Sequence, residues 1–234
     1  MTEARPDFRQ GPGITRVAAL LGDPSRAAMA EALMSGMALT ANELAQEAGI
    51  AASTASGHLA QLLHEGLLSV TPRGRHRYYR IAGPEVASAL EGLMGLVEAK
   101  GPSRCRPGPH DPALRHARSC YDHLAGALAV QMHDSLAARG LLRPGPEGLV
   151  LSETGASALA PLLPGVRLLA GRQCLDWSER RMHLAGPLGR ALLLALLDQG
   201  WARRGQGREI ALTRREEAGF AALFPLPQGS GAVW

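Results

Sequence analysis

The chain has 234 residues, 46% of them apolar and 20% charged, with a formal net charge of +4. That composition fits one large or two small globular domains and excludes disorder as a description of the whole chain. The longest strictly apolar run near the C-terminus, Ala191–Leu197, falls far short of the about 20 residues of a membrane span, residues 1–13 are polar and lack an export-signal core, and three cysteines form no disulfide framework, so a cytoplasmic protein is expected.

Charge is uneven, −2 over residues 1–99 and +6 over residues 100–234, and Lys100 is the only lysine. Arginine suits planar recognition of phosphate or carboxylate, although genome composition produces the same bias.

After a flexible start at 1–13, Ile14–Leu21 is a short apolar segment. Asp23-Pro24-Ser25 opens a helix, with Asp23 as N-cap and Pro24 in the first turn. Thr40-Ala-Asn-Glu43 is a capping box that opens the next helix, which ends at Gly49. A fourth helix is expected near Ala52–Glu65, with Ala55, Leu59, Leu62 and Leu63 on one face. Leu67–Ile81 alternates around Arg73-Gly74-Arg75 and predicts a β-hairpin. Val86, Leu90, Leu93, Met94 and Val97 form an apolar stripe on a helix that completes a domain over 14–100.

The two middle helices and the turn Gly49-Ile50-Ala51 make a helix-turn-helix. Ser53, Thr54, Ser56, His58 and Gln61 lie on the second helix, whose first turns face the major groove in this motif. Arg73, Arg75 and Arg77 lie on the hairpin, where arginines reach phosphates or the minor groove. A solvated hairpin would carry similar charge, but its place directly after a helix-turn-helix favours a wing.

Leu21-Gly-Asp-Pro-Ser-Arg26, Glu43-Leu-Ala45, Ser53-Thr-Ala-Ser-Gly-His-Leu59, Glu65-Gly-Leu-Leu68 and Arg73-Gly-Arg75 with Tyr78-Tyr79 together resemble the ArsR family of winged-helix repressors, over about residues 14–98. The resemblance implies a homodimer joined through Ile14–Leu21 and Pro84–Val97, a roughly palindromic double-stranded operator, and release from it by an effector. Ala51 departs from the polar residue that often opens the recognition helix. The family's familiar sensing positions are empty: there is no cysteine in Asn42–Ala48 or Ala52–Glu65, and no histidine or aspartate in Pro84–Val97.

Gly101–Pro112, with four prolines and two glycines, predicts a linker. A regulatory domain over 113–225 and a tail at 226–234 follow. His123-Leu-Ala-Gly126 recurs as His183-Leu-Ala-Gly186 sixty residues later. Two copies, about 123–160 and 183–221, predict a duplicated, winged-helix-like helix–hairpin–helix unit. The expected fold is therefore mainly α with small β-hairpins.

This second half holds all three cysteines and five of the eight histidines. His116, Cys120 and His123, spaced i, i+4, i+7, share one stripe if the segment is helical. Cys105 lies just upstream, and Cys174 and His183 form a second group. Cysteine with histidine suits zinc, cadmium, lead or another thiophilic ion. Isolated cysteines are also common as small buried hydrophobes. Two other effectors stay open: an organic anion near Trp177, Arg180 and Arg181, and a thiol oxidant acting on Cys105 between Arg104 and Arg106. The segments 120–126 and 174–186 also look like those of a two-domain subset of ArsR-like regulators. No nucleotide loop, nucleophile elbow or paired carboxylate points to an enzyme.

Overall fold

The computed structural model describes residues 14–74, 76–100, 109, 111–146, 148–167 and 169–226. The chain forms two units, residues 14–33 with 37–87, and residues 34–36 with 88–226.

The first unit contains α1 (Ile14–Leu21), α2 (Pro24–Leu33), β1 (Leu39–Thr40), α3 (Ala41–Glu47), α4 (Ala52–His64), β2 (Leu68–Arg73), β3 (His76–Ile81) and the start of α5 (Pro84–Lys100). Asp23 Oδ1 accepts from the Arg26 N–H at 2.9 Å, which caps α2. Thr40 and Glu43 close the capping box in both directions, so α3 starts where its sequence dictates. Ala51 opens α4 without a side-chain cap. Strands β1, β3 and β2 form an antiparallel sheet in that order. Met29, Leu33, Leu44, Ala55, Leu59, Leu62 and Tyr79 fill the core beneath it.

The second unit contains α6 (Pro112–His116), β4 (Arg118–Cys120), β5 (His123–Ala125), α7 (Ala127–Ala138), β6 (Leu142–Gly145), β7 (Gly148–Leu151), α8 (Glu153–Leu159), β8 (Ala170–Asp176), β9 (Arg181–Ala185), α9 (Gly186–Asp198), β10 (Arg203–Arg204), β11 (Ile210–Ala211) and α10 (Arg214–Leu223). The repeat is present, but each copy begins with a hairpin rather than a helix. The order in each copy is hairpin, helix, wing, helix. The HLAG motif is the second strand of the opening hairpin, and its glycine turns the chain into the helix. Gly126 has φ +90, and a Cβ there would stand 2.6 Å from the Arg115 carbonyl oxygen, so only glycine fits.

The copies are interlocked. The wing of the first, β6–β7, joins the hairpin β8–β9 of the second in one four-stranded sheet. The wing of the second reaches the hairpin of the first through a bridge between Arg118 and Glu209. Helix α7 packs on β9 and α9 on β5. One continuous core results, built from Leu124, Leu128, Met132 and Leu136 of the first copy and Leu184, Leu188, Leu192 and Leu196 of the second, with Phe220 and Phe224.

Candidate nucleic-acid interface and candidate metal centre

Helix α4 buries Ala55, Leu59 and Leu62, which turns its other face outward. Ser53, Thr54, Ser56 and Gln61 are exposed, and His58 is half-buried. The Ser56 hydroxyl donates to the Ala52 carbonyl at 2.9 Å. Arg26 of α2 reaches across to α4. Its guanidinium donates to Gln61 Oε1 at 3.1 Å and lies 3.2 Å from His58 Nδ1, while the Leu20 and Ala19 carbonyls hold its other nitrogens. His58 and Gln61 are thus held by α2, a role of Arg26 that its sequence position did not signal. Arg73 and Arg77 are exposed on the wing, paired across the strands with His76 and Pro72. Arg75 lies outside the described residues.

In the second unit the predicted helical stripe of His116, Cys120 and His123 does not form. Helix α6 ends at His116, and Cys120 and His123 face each other across the β4–β5 hairpin. Only the two-residue turn Tyr121-Asp122 separates them. The second copy repeats the pairing: Cys174 lies opposite His183 on β8–β9. The helical reading failed because cross-strand register, not helical spacing, joins a cysteine to a histidine here. His116 instead meets Glu217, at 3.0 Å, and is exposed. Cys105 lies outside the described residues. Arg181 pairs with Asp134.

The interlocked copies bring the two Cys–His pairs together. One ligand atom from each of Cys120, His123, Cys174 and His183 lies within 4.8 Å of every other. The two Nε2 atoms are 3.1 Å apart. Zinc bonds of about 2.0–2.1 Å to nitrogen and 2.3 Å to sulfur make the edges of a tetrahedral Cys2His2 site about 3.3–3.8 Å, so small movements suffice to close the four donors on one ion. Cys120, His123 and His183 are 1%, 6% and 0% exposed, and Cys174 is half-buried; four protein donors make a complete tetrahedral set.

Carboxylates stand behind the imidazoles. Asp122 Oδ1 is 3.2 Å from His123 Nδ1, and Asp176 Oδ2 is 3.8 Å from His183 Nδ1. Each leaves Nε2 facing the centre; the Asp122–His123 hydrogen bond matches carboxylate–histidine–metal arrangements, whereas His183 Nδ1 is buried without a hydrogen bond. Asp176 is itself fixed by Arg118, whose Nη2 donates to both carboxylate oxygens, each at 2.9 Å. The Gly126 N–H donates to Asp176 at 2.7 Å, and Ser178 and Glu179 supply further donors. Burial pushes the Asp176 carboxyl up, but Arg118, Ser178 and Gly126 outweigh it and hold the group below the usual carboxylate range. Glu91 of α5 lies on the other side. Its Oε2 is 3.6 Å from Cys174 Sγ, and its Oε1 is 3.4 Å from Arg208. Burial raises its pKa.

The thiols are unequal. Burial raises Cys120 above an ordinary thiol. The hydrogen bond from Cys120 lowers Cys174, with His123 and His183 adding to the effect against burial. For His123, burial works against the charged ring, yet hydrogen bonds to Asp122 and Cys174 carry its pKa up to about 9. The surroundings thus hold the Cys174 thiol toward its thiolate, the form in which a cysteine binds a metal, whereas the His123 ring is held toward its charged form and gives up a proton before it can bind one.

A helix-turn-helix domain family matches residues 21–71. The HTH-type transcriptional regulator YdfF of Bacillus subtilis, described as uncharacterised, is 38% identical over 218 residues, 89% of this chain and 96% of that one. The chain belongs to the HTH-type transcriptional regulators. The regulator's first unit is a winged helix-turn-helix, with its wing sheet in the order β1-β3-β2. Among solved structures, the homodimeric winged helix-turn-helix domain Mb0332 of Mycobacterium bovis, described as a possible ArsR-family regulator, is 25% identical, covering 39% of this chain and 87% of its own, with a TM-score of 0.34. The transcriptional repressor BigR of Xylella fastidiosa is 20% identical, covering 36% and 84%, with a TM-score of 0.32. Each likeness to these structures covers less than half of the regulator. Among the described residues no helix is long and apolar enough to cross a membrane.

Proposed function

We propose that the regulator is a dimeric, non-enzymatic, cytoplasmic repressor that leaves its operator when a thiophilic divalent ion binds Cys120, His123, Cys174 and His183. The observation that carries this reading is the convergence of two Cys–His pairs, one from each copy of the repeat, on one buried centre. Two thiolates and two neutral imidazoles balance the charge of a divalent ion, which favours zinc or cadmium. Ser53, Thr54 and Ser56 would meet the major groove, with His58 and Gln61 held alongside by Arg26, while Arg73, Arg75 and Arg77 would meet phosphate or the minor groove. The exposed apolar side chains Ile14 on α1 and Leu93 and Leu96 on α5 support a dimer through those helices.

The test starts from metal-free protein and a duplex selected from a random library by that protein. Zinc and cadmium are titrated against a chromophoric chelator, and DNA affinity is measured with and without each ion. One ion per chain, lost in Cys120→Ser and His183→Gln, and weaker DNA binding only when the ion is bound, are expected. Tight binding that survives both substitutions refutes the site. If DNA affinity responds to hydrogen peroxide and not to metal, the thiol pair is the sensor instead.

A further inference from the structure

Three residues between α2 and β1 leave the winged unit and belong to the second one. Met34 and Ser35 are 0% and 1% exposed. The Met34 carbonyl accepts from the Tyr121 N–H at 2.9 Å, and the Ser35 carbonyl accepts from Arg204 at 3.1 Å. Gly36 has φ +76, and any Cβ there would collide with the Tyr121 carbonyl oxygen. The segment is thus clasped, by its backbone, to the tip of the β4–β5 hairpin.

That tip is the turn between Cys120 and His123. It has two residues, with Tyr121 itself at φ +57. A turn this short has no slack. An ion that draws Cys120 Sγ and His123 Nε2 onto one centre resets the angle between the two strands, and the turn moves with them. On its other side the clasped segment continues directly into α2, which ends at Leu33. Helix α2 packs on α3 and α4 and carries Arg26, the side chain that holds His58 and Gln61.

Resting on the metal reading above, we propose that the Tyr121 turn clasping Met34–Gly36 is the relay by which site occupancy reaches the helix-turn-helix. The path runs from ligand pair to turn, to Met34–Gly36, to α2, to recognition helix. Each step is a backbone hydrogen bond, a peptide bond or a named side-chain contact. Gly36 and Arg204 are positioning residues: neither lies in the ligand set or among the DNA-contact candidates.

The experiment compares wild type with Gly36→Ala and Arg204→Ala, using zinc and the selected duplex. Wild type should lose on the order of 10-fold or more in DNA affinity on binding zinc, within the usual range of allosteric coupling. Both variants should bind zinc within about threefold of wild type while that ratio falls to about two or less. Amide exchange of wild type supplies a measurement that needs no substitution, and it stands if Gly36→Ala does not fold. The Tyr121 amide, which donates to the Met34 carbonyl, should exchange more slowly when zinc is added. Variants that keep the wild-type ratio, or exchange at Tyr121 indifferent to zinc, overturn the relay alone. Wild type that binds no zinc overturns the metal reading itself, and the relay with it.

Discussion

The pairing of Arg118 with Asp176 makes an asymmetric prediction. The two are 2% and 0% exposed, and breaking a buried pair by removing one partner costs about 3–5 kcal/mol. The partners do not depend on each other equally. Without Arg118, Asp176 keeps donors from the Gly126 and Ser178 N–H groups, the Ser178 hydroxyl and the Glu179 N–H. Without Asp176, Arg118 keeps only the Ser178 hydroxyl and the Leu114 carbonyl beside the Trp177 ring, 4.9 Å away. The Gly126 N–H, just before α7, also loses its acceptor. Arg118→Ala should therefore cost about 3 kcal/mol and Asp176→Ala about 5 kcal/mol, with the double variant costing less than the sum. Urea unfolding followed by tryptophan fluorescence is the assay. Trp177, Trp201 and Trp234 all follow residue 100, so the signal reports on the second unit. The pH dependence has a fixed sign. The folded-state pKa of Asp176 is depressed, so its contribution is complete above the unfolded value of about 3.9 and fades as pH falls below it toward the folded value. The gap between wild type and Arg118→Ala should narrow there. Arg118→Ala costing more than Asp176→Ala, or both costing under about 1 kcal/mol, would refute the reasoning.

Asp122→Asn should weaken zinc binding by about 10- to 100-fold, whereas His116→Gln should leave it unchanged, both read by chelator competition. With the His123 pKa raised to about 9, its ring is protonated at pH 7 and must lose that proton to bind an ion. Zinc affinity should therefore rise between pH 7 and 9 and fall on acidification, with proton release visible by calorimetry in buffers of different ionisation enthalpy; a flat profile contradicts the assignment. Arg77→Ala should lower the slope of log affinity against log salt by about one, and an unchanged slope removes Arg77 from the phosphate contacts. Thr40→Ala, which dissolves the capping box, should destabilise the winged unit by about 1 kcal/mol, measured by urea unfolding followed by tyrosine fluorescence.

The winged unit was readable because its signals are local. Thr40 and Glu43 bond each other three residues apart, Pro24 marks a first turn, and alternation around Arg73-Gly74-Arg75 can only be a hairpin. Arg26 was missed because its partners on α4 are 32 and 35 residues away. In the second unit the HLAG repeat was visible, but its upstream strand was not. The copies align as Arg118-x-Cys120 and Arg172-x-Cys174 before each HLAG. Two residues separate cysteine from histidine in the first copy and eight in the second, so a gapless comparison at the HLAG offset matches neither cysteine. Spacing of i, i+4, i+7 then imitated a helix. The four donors were all among the expected ligands, yet nothing in the sequence separated them from His116 and Cys105. Tertiary interlocking of the two copies is what brings these four together, while His116 pairs with Glu217.

The unequal hairpins also order events as the chain is made. The pair Cys120–His123 leaves the ribosome with its hairpin closed by two residues, while its counterpart is still more than fifty residues from being synthesised. A single pair offers an ion two donors and open coordination positions, a weak and exchangeable hold. The four-donor centre exists only once the second hairpin has threaded its strand beside the first copy's wing, since β7 pairs with β8. On the metal reading proposed above, loading would be deferred to the finished domain, and a nascent or truncated chain would compete only weakly for the same ion.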